Sequence, residues 1–240
     1  MDVSKFTHLA RKTLTLRVTG AVIVAAGSAS RMGGIDKVMA PLKGEPMIVH
    51  TVRVFQSCEA ISEIVIVTRP DLILPITELT REMEKVTAVV CGGSSRTESV
   101  QLGLNALSSQ VELAAIHDGA RPLVSEHLID RVVRAANSYG GAVPVIPVKD
   151  TIKITQGAFV QSTPNRSALR AVQTPQVFDF DLLRAALKQV QEQKIEVTDD
   201  CSAVEAIGFR VKTIEGAESN LKVTTPFDLK IAELWMEALQ

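Results

Sequence analysis

The chain has 240 residues, 46% of them hydrophobic, and its 26 Lys and Arg against 27 Asp and Glu leave a formal net charge of -1. That length supports one large α/β domain with a sizeable core. The balanced charge argues against nucleic acid or a membrane surface as partner, because both demand a clear excess of basic residues.

The first twenty residues alternate polar and apolar side chains and lack the apolar core of a signal peptide. Every apolar run is strand-sized, far from membrane-spanning length. Three cysteines, Cys58, Cys91 and Cys201, lie far apart. They form neither a metal-ligand spacing nor a disulfide framework, which fits a reducing cytoplasm.

In chain order, "AVIVAA" over 21–26 predicts a first buried strand. It runs into "AAGSASRMGGIDK" over 25–37, where small side chains let backbone N–H groups approach an anion and Arg31 and Lys37 add full positive charge. This reads as a phosphate grip or, more plainly, as a tight turn with two solvated charges. It has neither the Gly-Lys-Ser/Thr ending of a Walker loop nor glycines in the dinucleotide register, and no acid follows the second strand to hold a ribose, so an NAD-dependent oxidoreductase is excluded. Pro46 and Pro70 stand where first-turn prolines start helices.

Further strands are predicted at "EIVIVT", "TAVV", "LAAIHD" and "GAVPVIPV", with helices at "SSRTESVQLGLNAL", "SEHLIDRVVRAA" and "FDLLRAALKQV". After the third strand, Gly92 and Gly93 make a turn and Ser94 or Ser95 caps the next helix, leaving Arg96 solvated. After the fourth, Asp118 sits three residues before Arg121, either as a carboxylate holding Mg²⁺ against a triphosphate or as half of a buried ion pair. His117, at the end of an apolar strand, is assigned to the core. Asp199 and Asp200 precede "CSAVEAIG" and read as helix caps, not as a metal pair.

The β-α alternation gives a doubly wound, mostly parallel sheet whose ligand belongs beyond the carboxyl ends of the strands. One segment departs from it. "DTIKITQGAFVQST" over 150–163 alternates around "QGA" as a β-hairpin, and an isolated hairpin is marginal in water. It is therefore expected to pack on a second subunit, with 149–170 as a dimerisation arm inside a single domain spanning 1–240.

Together "AAGSASRMG", "GGSSRTESV", "HDGARP", "VKDTIK", "RSALRAVQTPQVF", "TDDCSAVE" and "SNLKVTTPFDL" resemble, in the same order, the 2-C-methyl-D-erythritol 4-phosphate cytidylyltransferases of non-mevalonate isoprenoid synthesis. The resemblance implies a Rossmann-like nucleotidyltransferase that is a cytoplasmic homodimer and uses Mg²⁺. It implies that CTP reacts with a sugar-alcohol phosphate and releases pyrophosphate. It assigns Arg31 and Lys37 to the transition state, Ala25, Ala26 and Gly27 to the triphosphate, Gly92 and Ser99 to cytosine, and Asp118 to the metal and substrate. Arg121, Thr174 and Lys222 match acceptor-positioning groups, and Thr151 and Arg166 match groups reaching the neighbouring subunit's acceptor. Thr174 reads equally as a turn residue before Pro175.

The chain departs from the family pattern at Ala29, where a glycine is usual, at Val38 after Lys37, where glutamine is usual, and at Arg170, where tryptophan is common. The interval from Arg31 to Lys37 is also short, which bears on CTP affinity. Two alternatives remain open in the sequence: a ribitol-5-phosphate cytidylyltransferase, and a catalytically silent nucleotide-binding protein, against which the joint retention of Arg31, Lys37, Asp118 and Lys222 argues.

Overall fold

The computed structural model describes residues 16–27 and 36–238; Ala29 and Arg31 lie outside them. Five strands follow the apolar runs of the sequence: β1 (Thr19–Val24), β4 (Glu63–Thr68), β5 (Val86–Cys91), β6 (Leu113–Asp118) and β7 (Gly141–Pro147). A small hairpin, β2 (Pro41–Leu42) with β3 (Glu45–Pro46), leads into helix α1 (Met47–Ser57), for which Pro46 is the N-cap. Pro70 opens a 3₁₀ turn ahead of α2 (Ile73–Thr80). Ser95 caps α3 (Arg96–Ala106) by accepting from Glu98 N, and Ser125 caps α4 (Glu126–Tyr139) by accepting from Leu128 N. Gly140, at φ +79°, closes α4 in the left-handed conformation that glycine adopts without strain.

Strands β4, β1 and β6 run parallel side by side, with β5 parallel to β4 at the edge. The chain moves outward from β1 through β4 to β5 and returns to β6 on the other side of β1, so the order reverses at β1. That reversal is where an open α/β sheet leaves a crevice for ligand.

The sheet is only mostly parallel for a reason that lies in "RAVQTPQVFD" over 170–179. This stretch forms two short strands, β10 (Arg170–Val172) and β11 (Gln176–Asp179), separated at Gln173, Thr174 and Pro175 by a cis Thr174–Pro175 peptide. β11 is antiparallel to both β6 and β7 and lies between them, β10 is antiparallel to β7, and β12 (Lys212–Glu215) adds a parallel partner to β7.

Alternate side chains of β1 feed opposite cores. Ala21 and Ile23 pack with Val52 and Phe55 of α1 and Val132 of α4, while Val22 packs with Leu104 of α3. The second core also takes Leu182, Ala186 and Val190 of α5 (Phe180–Glu192) and Ala203 of α6 (Asp200–Ala206). Helix α7 (Pro226–Ala238) follows the segment that carries Lys222. No helix among the described residues is long and apolar enough to cross a membrane.

The expected hairpin is present as β8 (Ile154–Gln156) with β9 (Phe159–Ser162), a separate two-stranded sheet turned at Gly157 with φ +57°. Phe159 is 80% exposed and Val160 61%, and Ile152 and Ile154 are also exposed.

Candidate active site

Three loops meet at the carboxyl ends of the strands because the ladder continues past each strand by one bond. Ala25 N donates to Val67 O at 2.7 Å, Gly92 N to Thr68 O at 2.7 Å and Gly119 N to Val24 O at 2.9 Å. Between them opens a cleft of about 450 Å³ lined by Ala25, Ala26, Gly27, Lys37, Ser99, Asp118 and Lys222, together with Gly93, Arg96 and others. Gly92 lies behind this lining. A Cβ there would stand 2.5 Å from Ala26 Cβ and 2.9 Å from Ser99 Oγ, so glycine is what lets the β5 turn press against the β1 loop. Ser99 is buried, and its hydroxyl accepts from Gly93 N at 3.1 Å and donates to Ser95 O at 2.8 Å. Its direct service is to fix the loop that lines the cleft.

Asp118 is met by three cations. Lys222 Nζ is 2.9 Å from Oδ2, Arg121 Nε 3.5 Å from Oδ2, and Arg96 Nη2 3.9 Å from Oδ1. Burial pulls this carboxyl up, but Lys222, Arg96 and Arg121 outweigh it and hold the group down at about 2. It is therefore ionised throughout the neutral range. The ion pair of the plain reading exists, between Asp118 and Arg121, and the carboxylate also borders the cleft.

Arg96 is not solvated, as its place in a capped helix suggested. Its Nη2 lies 2.7 Å from Oδ2 of Asp200, which is 1% exposed. Only Asp199 is the helix cap, in a reciprocal box with Ser202, whereas Asp200 serves Arg96. The sequence offered no signal for this pair, because its members are separated by 104 positions.

A smaller hollow beside Asp118 is lined by Arg121, Gln173, Thr174, Gln176, Thr198 and Lys222, among others. Gln173, Gln176 and Thr198 carry no individual role in the sequence reading, though they belong to the "QTPQ" and "TDD" motifs. The Thr174 hydroxyl is already engaged, accepting from Asp118 N at 3.1 Å and lying 3.0 Å from His117 Nδ1. His117 is fully buried, its Nε2 is 3.3 Å from Arg121 O, and burial drives its pKa down to about 3 against the pull of Asp118. A neutral imidazole held on both sides is a core group, as its strand position predicted.

Thr151 and Arg166 are not brought to this cleft. Arg166 donates from Nη1 to Lys149 O at 2.8 Å and lines a separate, open hollow at the base of the hairpin with Lys149 and Arg170.

The model of the 2-C-methyl-D-erythritol 4-phosphate cytidylyltransferase family matches residues 19–238. The chain belongs to this family. Cytidylyltransferases of this name from Caldanaerobacter subterraneus and Geobacillus kaustophilus are 41% and 44% identical to it, covering 90% and 89% of the chain and 97% and 94% of the relatives. Among solved structures, the 4-diphosphocytidyl-2C-methyl-D-erythritol synthase from Anaerococcus prevotii superposes with a TM-score of 0.83 at 32% identity, covering 92% of this chain and 96% of that one. The 2-C-methyl-D-erythritol 4-phosphate cytidylyltransferase from Thermus thermophilus gives 0.76 at 32% identity, with 90% and 98% covered. The family match therefore runs the length of the sheet and includes the hairpin segment.

Proposed function

We infer that the chain transfers the cytidylyl group of CTP to 2-C-methyl-D-erythritol 4-phosphate, releasing pyrophosphate and leaving 4-diphosphocytidyl-2-C-methyl-D-erythritol. The observation that carries this reading is the convergence of Lys37, Asp118 and Lys222 on one cleft at the sheet's reversal point, in a chain of this family. An oxygen of the acceptor phosphate forms the new bond to the α-phosphorus as the bond to pyrophosphate breaks. A phosphate monoester is largely dianionic near neutral pH, so the attack needs no side chain to remove a proton. The buried, neutral His117 is consistent with that economy.

What the reaction does need is cancellation of crowded negative charge. Ala25, Ala26 and Gly27 leave their backbone open to the triphosphate, and Lys37, with Arg31 from outside the described residues, supplies fixed positive charge as the α-phosphorus gains its fifth oxygen. Gly92 and Ser99 set the β5 turn on the cytosine side. Lys222, Arg121 and Thr174 shape the acceptor side around Asp118. The residues fit Mg²⁺ bound with substrate: no group of three His, Cys, Asp or Glu forms a metal cage among the described residues, yet one carboxylate plus phosphate oxygens is a usual magnesium arrangement. Asp118 would hold the ion, which when bound neutralises phosphate charge.

The acceptor side is incomplete in one chain, because Thr151 and Arg166 lie at the arm. The exposed Ile154, Phe159 and Val160 support an arm that docks on a second copy and delivers both residues to its cleft, making the active unit a homodimer.

Pyrophosphate release with CTP and Mg²⁺, with the product identified by mass, tests the reaction. Turnover with 2-C-methyl-D-erythritol 4-phosphate and little with ribitol 5-phosphate supports it. Preference for ribitol 5-phosphate moves the enzyme to that acceptor, and silence with both in protein that binds CTP makes it a nucleotide-binding protein.

A further inference from the structure

Lys222 sits in a stretch, 216–225, that belongs to no helix or strand. Its aim at Asp118 therefore has to come from something other than a regular backbone ladder. Two residues earlier stands Asn220, with no exposed surface. Its Nδ2 donates to Thr174 O at 2.9 Å, at the break between β10 and β11. Its main-chain carbonyl accepts from Arg121 Nη1 at 2.7 Å and from Gln173 Nε2 at 3.2 Å. Gln173 closes the ring, donating from Nε2 to Ala217 O at 2.8 Å and accepting from Ala217 N at 3.2 Å. Just past Lys222, Val223 N donates to Ala120 O at 2.9 Å. One buried residue thus joins the elements that carry Thr174, Arg121 and Lys222, and its bonds go to no group on β1 or β5.

We propose that Asn220 is a positioning residue for the acceptor side of the cleft, the clamp that sets Lys222 and Arg121 against Asp118. The inference rests on the cytidylyltransferase reading and deepens it. An amide is suited to this place because the atom facing Thr174 O must be a donor, and the site is closed to water that would replace it. Aspartate has the same shape but presents an oxygen there. The CTP side hangs on Ala25, Ala26, Gly27 and Lys37 after β1 and on the β5 turn, which the clamp does not touch.

The test is steady-state kinetics on the full-length homodimer, with the wild type as the control that decides the reaction itself. Asn220→Ala is expected to raise the KM for the acceptor phosphate about tenfold, with the dissociation constant of CTP measured without Mg²⁺ changed less than about twofold. A purely structural residue would lower the active fraction and the melting temperature with both constants unchanged, and that result overturns the proposal. The second readout is coupling. If Asn220 acts through Lys222, adding Asn220→Ala to Lys222→Ala costs less than about twofold more, whereas full additivity of the two losses contradicts the clamp. Should Asn220→Ala fail to fold, Gln173→Met removes the other buried amide of the ring and is read by the same split.

Discussion

Two regions of the chain, the cleft and the β8–β9 arm, are built in opposite ways. Around Asp118 the charges are answered within the chain, by Lys222 at 2.9 Å, by Arg121, and by Arg96, itself fixed by the buried Asp200. On the β8–β9 arm the apolar side chains face outward, with Phe159 80% exposed, and Arg166 is anchored to the arm's own base through Lys149 O. A buried charge network is costly to disturb and keeps its groups in place before substrate arrives. An exposed apolar hairpin is unfavourable until something covers it. The contrast sets preorganised charge in the cleft of one chain against an arm whose exposed apolar face agrees with the proposed role in assembly.

The strongest break of the comparison is at the cleft. Lys37→Ala is expected to lower kcat by about two to three orders of magnitude while CTP affinity falls far less, because a fixed cation near the α-phosphorus acts mainly on the transition state. Turnover and CTP titration on the same preparation check this; equal losses in both would make Lys37 a simple binding group. At the arm, Phe159→Asp puts a charge where the account places an interface. Sedimentation should show the dimer dissociation constant rising by about a hundredfold, with each chain still folded. A wild-type monomer, or a variant as dimeric as the wild type, removes the arm from the interface.

The smallest effect sharpens the buried side. His117 has a folded pKa near 3, below the unfolded value of about 6.5, so the unfolded chain takes up a proton that the folded one refuses. Its contribution is fully present above about pH 6.5 and is lost as pH falls toward 3, at up to about 1.4 kcal/mol per pH unit. His117→Asn should flatten the fall in stability between pH 6 and 4, measured by denaturant unfolding at each pH. An unchanged slope would mean that His117 is protonated in the folded state.

Much of this was legible in the sequence where the signal is local. The five strands of "AVIVAA" and its successors, the serine cap at Ser94 or Ser95 and the hairpin around Gly157 follow from apolar runs, cap residues and alternation over a few positions. β11 was not legible, since "QVFD" is four residues long and follows a proline, and its strand character comes from partners on both sides. The candidate site divides in the same way. Small residues after β1 and β5 and the acid ending β6 mark the cleft by position alone. Arg96 was misread as solvated because its partner Asp200 is remote, and the Thr174 hydroxyl, read as a substrate contact or a turn, meets Asp118 and His117 only in three dimensions. The family motifs supplied Lys222, but its contact with Asp118 needed the fold.

The most direct test of the division between cleft and arm mixes two defective subunits. Chains carrying Arg166→Ala are combined with chains carrying Lys37→Ala, and the heterodimers are isolated with two different affinity tags. If each cleft is completed by the partner's arm, one of the two sites in the heterodimer is whole, and activity per dimer should return to about half that of the wild type. If the arm serves its own chain's cleft, each site keeps one defect. Verified heterodimers no more active than the better parent would contradict the account.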